Sequence, residues 1–242
     1  MITSKNDAGG ARKRRSNTYS QANKHETPVN MKLCLHDFVS RSYANGPGCR
    51  TVIWLQGCPF QCPGCYNPGT HPVGKGEWIT VSRLFERVAA LAGQIEGITI
   101  SGGEPLMQLP ALSGFLRLIK LHTQLSVIVF SGLSWTELGR IRTGEQAKVS
   151  DLPKEFSTPA ARSALEVFFG NVDVVIAGRY VDGLRLANGL RGSANKTVHF
   201  LTDRYKPEDI EKVPCAEIVI SAHGTVSVSG IDPPYVSSQN IN

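Results

Sequence analysis

The chain has 242 residues, 41% of them hydrophobic, and a formal net charge of +6. This length is sufficient for one sizeable α/β core. The sequence contains neither a run of about 18 apolar residues nor an apolar N-terminal block, so we expect no membrane span, no secretory signal and a cytoplasmic location.

The positive charge is concentrated at the N-terminus, where residues 1–30 contain six Lys or Arg and two acidic residues. This stretch has almost no large apolar side chains, which is typical of a solvated, disordered tail. Because the rest of the chain carries only +2, we do not expect a nucleic-acid partner. We expect a basic tail over 1–30, a single domain over 31–234 and a flexible tail over 235–242. Met31, where ordered sequence begins, is a candidate for the true start.

Strand and helix patterns alternate after the tail. The β-branched run over 50–56 predicts a buried strand that ends at Gly57, and Thr80 is a typical N-cap for the helical pattern that follows. Further strands are predicted over 97–100, 125–130, 172–177 and 197–201, and further helices over 108–122, 134–141 and 160–169. A polar loop is expected over 142–159, and a terminal strand pair over 217–221 and 225–229. The alternation predicts an α/β fold, a partial (β/α)6 barrel of mostly parallel strands with a short C-terminal strand pair.

Three cysteines within eight residues, Cys58, Cys62 and Cys65, follow the first predicted strand and form a candidate metal site. A cytosolic setting favours thiolate ligands over disulfides. Iron-sulfur cubes and structural zinc sites normally have four protein ligands. The trio therefore indicates an iron with an open position, or a fourth ligand such as Cys49 or His71. The remaining cysteines are isolated, which is typical of small buried apolar residues: Cys34, Cys49 and Cys215.

A second motif, Ser101-Gly102-Gly103-Glu104-Pro105, follows the predicted strand over 97–100. Paired glycines allow a ligand to approach the backbone closely, and the carboxylate of Glu104 can accept hydrogen bonds from an ammonium group. Because ligands collect at the carboxyl ends of parallel strands, we expect this motif to lie beside the cysteines.

In this order, the two motifs resemble the signature of the radical S-adenosylmethionine enzymes, Cys-x3-Cys-x2-Cys followed by Gly-Gly-Glu or a close variant. Three further stretches resemble the anaerobic ribonucleotide reductase activating proteins: Gly46-Pro47-Gly48 followed by Arg50, Cys-Pro-Gly-Cys-Tyr-Asn-Pro from Cys62 to Pro68, and Arg191-Gly192-Ser193-Ala194-Asn195. The resemblance covers about residues 32–201. The chain departs from these activases at His71, where they often have tryptophan, and at Glu104, where they often have aspartate.

The resemblance implies a 4Fe-4S cluster held by Cys58, Cys62 and Cys65, with S-adenosylmethionine chelating the fourth iron through its amino and carboxylate groups. An electron, from a flavodoxin- or ferredoxin-type donor, would then split the sulfonium. The resulting 5′-deoxyadenosyl radical would abstract hydrogen from a glycine of a partner enzyme, an anaerobic ribonucleotide reductase. No side chain is assigned a catalytic role, because the radical arises at the cluster.

The resemblance also assigns cofactor contacts to several residues. Gly102, Gly103 and Glu104 are expected to bind and orient the methionine ammonium. Gly64 and Tyr66 would contact the adenine or ribose, and Ser131 the ribose or carboxylate. Simpler interpretations are that Tyr66 packs against the loop and that Ser131 forms a turn. Asp173 resembles an aspartate of the activases, but it could equally cap a helix or pair with Arg179, and the stretch from Arg191 to Asn195 has no assigned role.

Two alternatives remain open at this point. A radical S-adenosylmethionine enzyme could modify a small metabolite or a peptide, although peptide-modifying relatives usually carry further cysteines and only Cys215 follows Cys65 here. Alternatively, the chain is a zinc or iron-sulfur binding module without activity, its site completed by Cys49 or His71. A cysteine nucleophile is disfavoured, because no motif ties a base to these cysteines.

Overall fold

The computed structural model describes residues 28–145, 156, 158–220, 222–224 and 226–231. The predicted basic tail over 1–30, apart from 28–30, lies outside the described residues. The predicted C-terminal tail over 235–242 and most of the predicted loop over 142–159 also lie outside them.

The described residues form eleven strands and five α-helices. The strands are β1 (Lys32–Ser42), β2 (Arg50–Leu55), β3 (Glu77–Thr80), β4 (Gly97–Gly102), β5 (Ser126–Ser131), β6 (Val174–Ala177), β7 (Arg185–Asn188), β8 (Arg191–Ser193), β9 (Thr197–Phe200), β10 (Ala216–Ile220) and β11 (Val226–Gly230). The helices are α1 (Val81–Ala89), α2 (Leu109–His122), α3 (Trp135–Thr143), α4 (Pro159–Phe169) and α5 (Pro207–Glu211). Among these helices, none combines the length and apolar character that a membrane crossing requires.

Seven of these strands form one sheet in the order β3-β1-β2-β4-β5-β6-β9. Strands β2, β4, β5 and β6 are parallel to one another, whereas β1 and β9 pair antiparallel with their neighbours. The predicted α/β class with a mostly parallel central sheet is confirmed, as is the terminal strand pair, β10 and β11. The structure has four parallel strands rather than six βα units, because β1 and β9 reach the sheet without a crossover helix.

Alternating side chains of the central strands bury both faces of the sheet. Val127 and Val129 of β5 face a large core with α1, α2 and α4, while Ile128 faces a smaller core that includes Leu190 and Tyr205. This is the two-residue period expected of a strand covered on both sides. Helix α1 begins after Thr80, whose side-chain oxygen accepts from the backbone N–H of Arg83 at 3.3 Å, so the predicted cap is confirmed.

The parallel direction of β2, β4, β5 and β6 places their carboxyl ends at one edge of the sheet. The register pairs Leu55 of β2 with Gly102 of β4, and Ser131 of β5 with Ala177 of β6. The segments that follow these four residues therefore lie side by side, and they carry both sequence motifs.

Candidate functional site

A cleft at this edge of the sheet contains all three motif cysteines. Cys58, Cys62 and Cys65 line it together with Ser101 to Glu104 and Ser131. The structure thus brings together residues that are up to 73 positions apart in the sequence, between Cys58 and Ser131.

The cysteine loop is held by main-chain hydrogen bonds to the turn that follows it. The N–H of Gly57 donates to the carbonyl of Thr70 at 2.7 Å, and the N–H of Cys58 donates to the carbonyl of His71 at 3.1 Å. Within the loop, the N–H of Cys65 donates to the carbonyl of Cys62 at 3.1 Å. These bonds set the position of the first and last cysteines without using their thiols, which stay available as ligands.

The glycine pair allows the two motif loops to touch. The N–H of Gly103 donates to the carbonyl of Leu55 at 2.8 Å, and the N–H of Glu104 donates to the carbonyl of Gly57 at 2.9 Å. A Cβ on Gly102 would lie 2.4 Å from the backbone nitrogen of Leu55, and one on Gly103 would lie 2.2 Å from the carbonyl oxygen of Gly57. Glycine is therefore required at both positions for the loops to pack.

Glu104 is only 1% exposed and fastens its own loop to the end of β5. Its Oε1 accepts from the N–H of Leu106 and the hydroxyl of Ser131, both at 3.0 Å, and its Oε2 accepts from the N–H of Gly132 at 2.6 Å. Burial raises the pKa of Glu104, and these three donors oppose that increase. A carboxylate has about four acceptor positions, so one position is left for a ligand.

More than half of the chain matches a known protein family. Residues 44–199 match the family described as a 4Fe-4S single cluster domain. The chain belongs to that family. Two anaerobic ribonucleoside-triphosphate reductase-activating proteins, from Enterobacteria phage T4 and Escherichia coli K12, are each 27% identical to it. Their matches cover 66% and 69% of this chain, and 90% and 97% of those proteins.

A different type of activator matches over a shorter region. The pyruvate formate-lyase-activating enzyme of Clostridium pasteurianum is 31% identical over 43% of this chain, and the match spans 47% of that enzyme's length. Among solved structures, QueE from Escherichia coli overlays on 44% of the chain with a TM-score of 0.34 and 18% identity, which is too remote to define the fold. The family and these relatives confirm the predicted resemblance to radical S-adenosylmethionine activating enzymes, with a 4Fe-4S cluster and S-adenosylmethionine as cofactors.

The donor set of the cleft fits a 4Fe-4S cluster. Among the described residues, no three His, Cys, Asp or Glu side chains are close enough together to hold a single metal ion. In a cluster, by contrast, each thiolate binds a different iron. The three cysteines are half-buried, and burial raises the pKa of the Cys58 and Cys65 thiols. Metal binding would favour the thiolate forms instead.

The two residues considered as a fourth ligand lie in different places. Cys49 precedes β2, whereas the cysteine loop follows it, so the length of the strand separates them by roughly 20 Å. The suggestion that Cys49 completes the site is therefore wrong. His71 does line the cleft, and its Nε2 is the one buried side-chain nitrogen or oxygen without a hydrogen-bond partner among the described residues. Such an atom ordinarily indicates a ligand or a water molecule.

Gly64 and Tyr66 flank Cys65 and were predicted to contact the cofactor. Both lie against the part of the chain that runs from Tyr180 to Gly192. Gly64 does not line the cleft; its φ is +70°, and a Cβ there would lie 2.7 Å from Oδ1 of Asp182. Tyr66 lines the cleft, packs against Tyr180 with ring centroids 4.7 Å apart and donates to the carbonyl of Gly192 at 3.2 Å. Tyr66 thus packs against Tyr180 and the backbone of Gly192, and its contact with adenine or ribose stays a prediction.

Ser131 also lines the cleft, at the end of β5. Its hydroxyl donates to Glu104 and accepts from the N–H of Leu133, both at 3.0 Å. A hydroxyl has one donor and two acceptor positions, so one acceptor position is left. The predicted contact with ribose or carboxylate would use that position, and it also stays a prediction.

Asp173 does not belong to the cleft. Its carboxylate pairs with Lys120 at 2.8 Å, and Arg179 pairs with Glu137 at 2.9 Å. The suggested pairing of Asp173 with Arg179 is therefore wrong. Sequence reasoning missed Arg179, Tyr180 and Lys196 as cleft residues. One signal was present for Lys196, since it directly follows the Arg191 to Asn195 stretch that resembles the activases.

Proposed function

We propose that this chain activates a glycyl-radical enzyme, and that its partner is an anaerobic ribonucleotide reductase. The observation that carries the proposal is the shared cleft of the three cysteines and the Gly102 to Glu104 loop, at the carboxyl edge of the parallel strands. This arrangement gives a cluster-binding loop and a ligand-binding loop in direct contact.

Each part of the cleft has a task in this proposal. Cys58, Cys62 and Cys65 would hold the cluster, which, when bound, supplies the electron that splits the sulfonium of S-adenosylmethionine. Gly102 and Gly103 keep the two motif loops packed together, while their own contact with the methionine moiety stays a prediction. Glu104 would use its remaining acceptor position for the ammonium.

The choice of partner is supported by the extent of the matches. The reductase-activating relatives are matched over at least 90% of their length, whereas the pyruvate formate-lyase-activating enzyme of C. pasteurianum is matched over 47%. A chain that retains nearly all of the first type of activator is better suited to the partner named for that type. A flavodoxin- or ferredoxin-type electron donor and a cytoplasmic location belong to the same proposal.

The first experiment tests the chemistry. The full chain is purified without oxygen, iron and sulfide are reconstituted, and dithionite and S-adenosylmethionine are added. We expect 5′-deoxyadenosine in the wild type and none in Cys62→Ala, because a cluster with two thiolates is not stably held. Cys34→Ala is the matched control, since Cys34 is buried away from the cleft and should keep cleavage. Absence of product in the wild type, with zinc bound instead, would contradict the proposal.

The second experiment tests the partner. Active wild-type protein is mixed with the anaerobic ribonucleotide reductase or, separately, the pyruvate formate-lyase of the source organism, and electron paramagnetic resonance spectra are recorded. A glycyl doublet on the reductase and none on the lyase is the expected result. A doublet on the lyase alone would refute the choice of partner, and sulfonium cleavage with a doublet on neither would favour a small-metabolite or peptide substrate.

A further inference from the structure

Lys196 is a cation in the wall of the cysteine cleft. It lies between β8 and β9, in the turn where the N–H of Lys196 donates to the carbonyl of Ser193 at 3.1 Å. Its ammonium donates to the carbonyl oxygen of Gly178, which follows β6. An ammonium has three donors, so this bond leaves two of them for another acceptor.

The stretch from Arg191 to Asn195, which had no assigned role, holds this lysine in place. The N–H of Ala194 donates to the carbonyl of Leu184 at 2.7 Å, and the side-chain amide of Asn195 donates to the carbonyl of Arg179 at 2.9 Å. These bonds fasten the stretch to the segment after β6. The stretch therefore forms part of the cleft wall and fixes the position of the backbone at Lys196.

The charge of Lys196 is less neutralised than the other charges of the cleft. Arg179 forms an ion pair with Glu137, and Glu104 accepts three hydrogen bonds from its own surroundings. Within the described part of the chain, the ammonium of Lys196 has no carboxylate at ion-pair distance. Burial lowers the pKa of Lys196, while the negative groups of Glu104, Cys62 and Cys65 act against that decrease. Lys196 lines the same cleft as the cluster ligands and Glu104.

We propose that Lys196 binds the carboxylate group of S-adenosylmethionine. This inference rests on the proposed function. A ligand whose amino-acid end lies at the open iron brings a carboxylate next to the cysteines, and Lys196 is the cation of the cleft wall that has no ion-pair partner among the described residues. Glu104 and Lys196 together then present opposite charges, which match the α-ammonium and α-carboxylate of the ligand.

The test compares ligands with and without the carboxylate. Wild type, Lys196→Met and Lys196→Arg are reconstituted, and their iron content and the spectrum of the reduced cluster are recorded first. The Kd of S-adenosylmethionine and that of decarboxylated S-adenosylmethionine are then measured by titration. We expect Lys196→Met to weaken binding of S-adenosylmethionine by about 10- to 100-fold and to leave binding of the decarboxylated compound nearly unchanged. Lys196→Arg should restore most of the affinity.

Several results would overturn the inference. Equal losses for both ligands, or no loss for S-adenosylmethionine, would show that Lys196 does not contact the carboxylate. A shifted cluster reduction potential with unchanged affinity would mean that the lysine acts on the cluster alone. Lys212→Met, an exposed lysine at the end of α5, is the matched control and should bind both ligands as the wild type does. If Lys196→Met loses its cluster, Lys196→Gln takes its place.

The outcomes also separate this inference from the proposed function. A wild type that binds no S-adenosylmethionine refutes both. A wild type that binds and cleaves it, with Lys196→Met unaffected, refutes the role of Lys196 and leaves the proposed function standing.

Discussion

Alanine at position 103 is predicted to force the two motif loops apart. A Cβ there would lie 2.2 Å from the carbonyl oxygen of Gly57 and 3.2 Å from the Cβ of Cys58. Since real Cβ contacts essentially never fall below 3.0 Å, the loops must separate by roughly 0.8 Å. The closest neighbour is backbone rather than the end of a flexible side chain, so the main chain itself has to move.

The cost of this movement follows from its mechanism. Overpacking that shifts the backbone typically costs about 1–3 kcal/mol. The shift also strains the 2.9 Å hydrogen bond from the N–H of Glu104 to the carbonyl of Gly57. For a domain of this size, each kcal/mol lowers the Tm by about 2–4 °C. Because Cys58 follows Gly57 directly, we also expect the cluster to be held less well.

The assay measures thermal unfolding before cluster assembly, and iron and sulfide content after it. Gly103→Ala should melt about 2–12 °C below the wild type and retain less iron. Gly139→Ala is the matched control, because Gly139 lies inside α3 with no atom within 4 Å of an added Cβ. Alanine favours a helix by about 1 kcal/mol over glycine, so this variant should melt slightly higher.

A Gly103→Ala protein with the melting temperature and iron content of the wild type would contradict this prediction. An equal fall in Gly139→Ala would mean that loss of glycine, rather than the contact between the loops, causes the effect.

Three further predictions concern buried polar groups. Burial alone would raise the pKa of Asp173, but hydrogen bonds, above all from Lys120, hold that pKa below its ordinary value. Its stabilisation is thus present above about pH 4 and lost as the pH falls through the folded pKa. Asp173→Asn should cost about 2–4 kcal/mol at pH 7 and flatten the loss of stability in acid, as measured by urea unfolding against pH. His71→Phe removes an unpartnered nitrogen, so the cluster-free protein should be as stable as the wild type or slightly more so, while a lower affinity for S-adenosylmethionine would show that the nitrogen meets the ligand. Arg50 is 0% exposed and donates to Thr99, to Ser126 and to the carbonyl of Ile98. Arg50→Lys should lower the unfolding free energy by about 3 kcal/mol, because an ammonium cannot reproduce the planar set of donors of a guanidinium. Unchanged denaturant midpoints would contradict the first and third predictions.

Much of the fold could be predicted from local patterns. The β-branched runs that became β2, β4, β5 and β6 are buried on both faces, so hydrophobicity alone marks them. Thr80 and Ser134 mark helix starts, because a cap requires a particular side chain at one position.

Strand β1 and the direction of β9 were not predicted, because both depend on pairing that is not local. Strand β1 pairs with both β2 and β3. Its residues 36–41 are exposed or half-buried, so the strand lacks the regular alternation of buried and exposed side chains that would mark it in the sequence. Strand β9 follows β6 through the β7 and β8 hairpin, a connection that makes it antiparallel. A run of apolar residues carries no information about the direction of its partner.

For the candidate site, too, the residue types could be predicted from the sequence, whereas contacts between distant segments could not. A metal site beside a ligand-binding loop could be predicted without the structure, because three closely spaced thiols and a Gly-Gly-Glu loop are recognisable as residue types at fixed spacing. Two relations could be seen only in the folded chain: Asp173 pairs with Lys120, and Lys196 enters the cleft. They depend on strand direction and on contacts between distant segments, which local spacing in the sequence does not indicate.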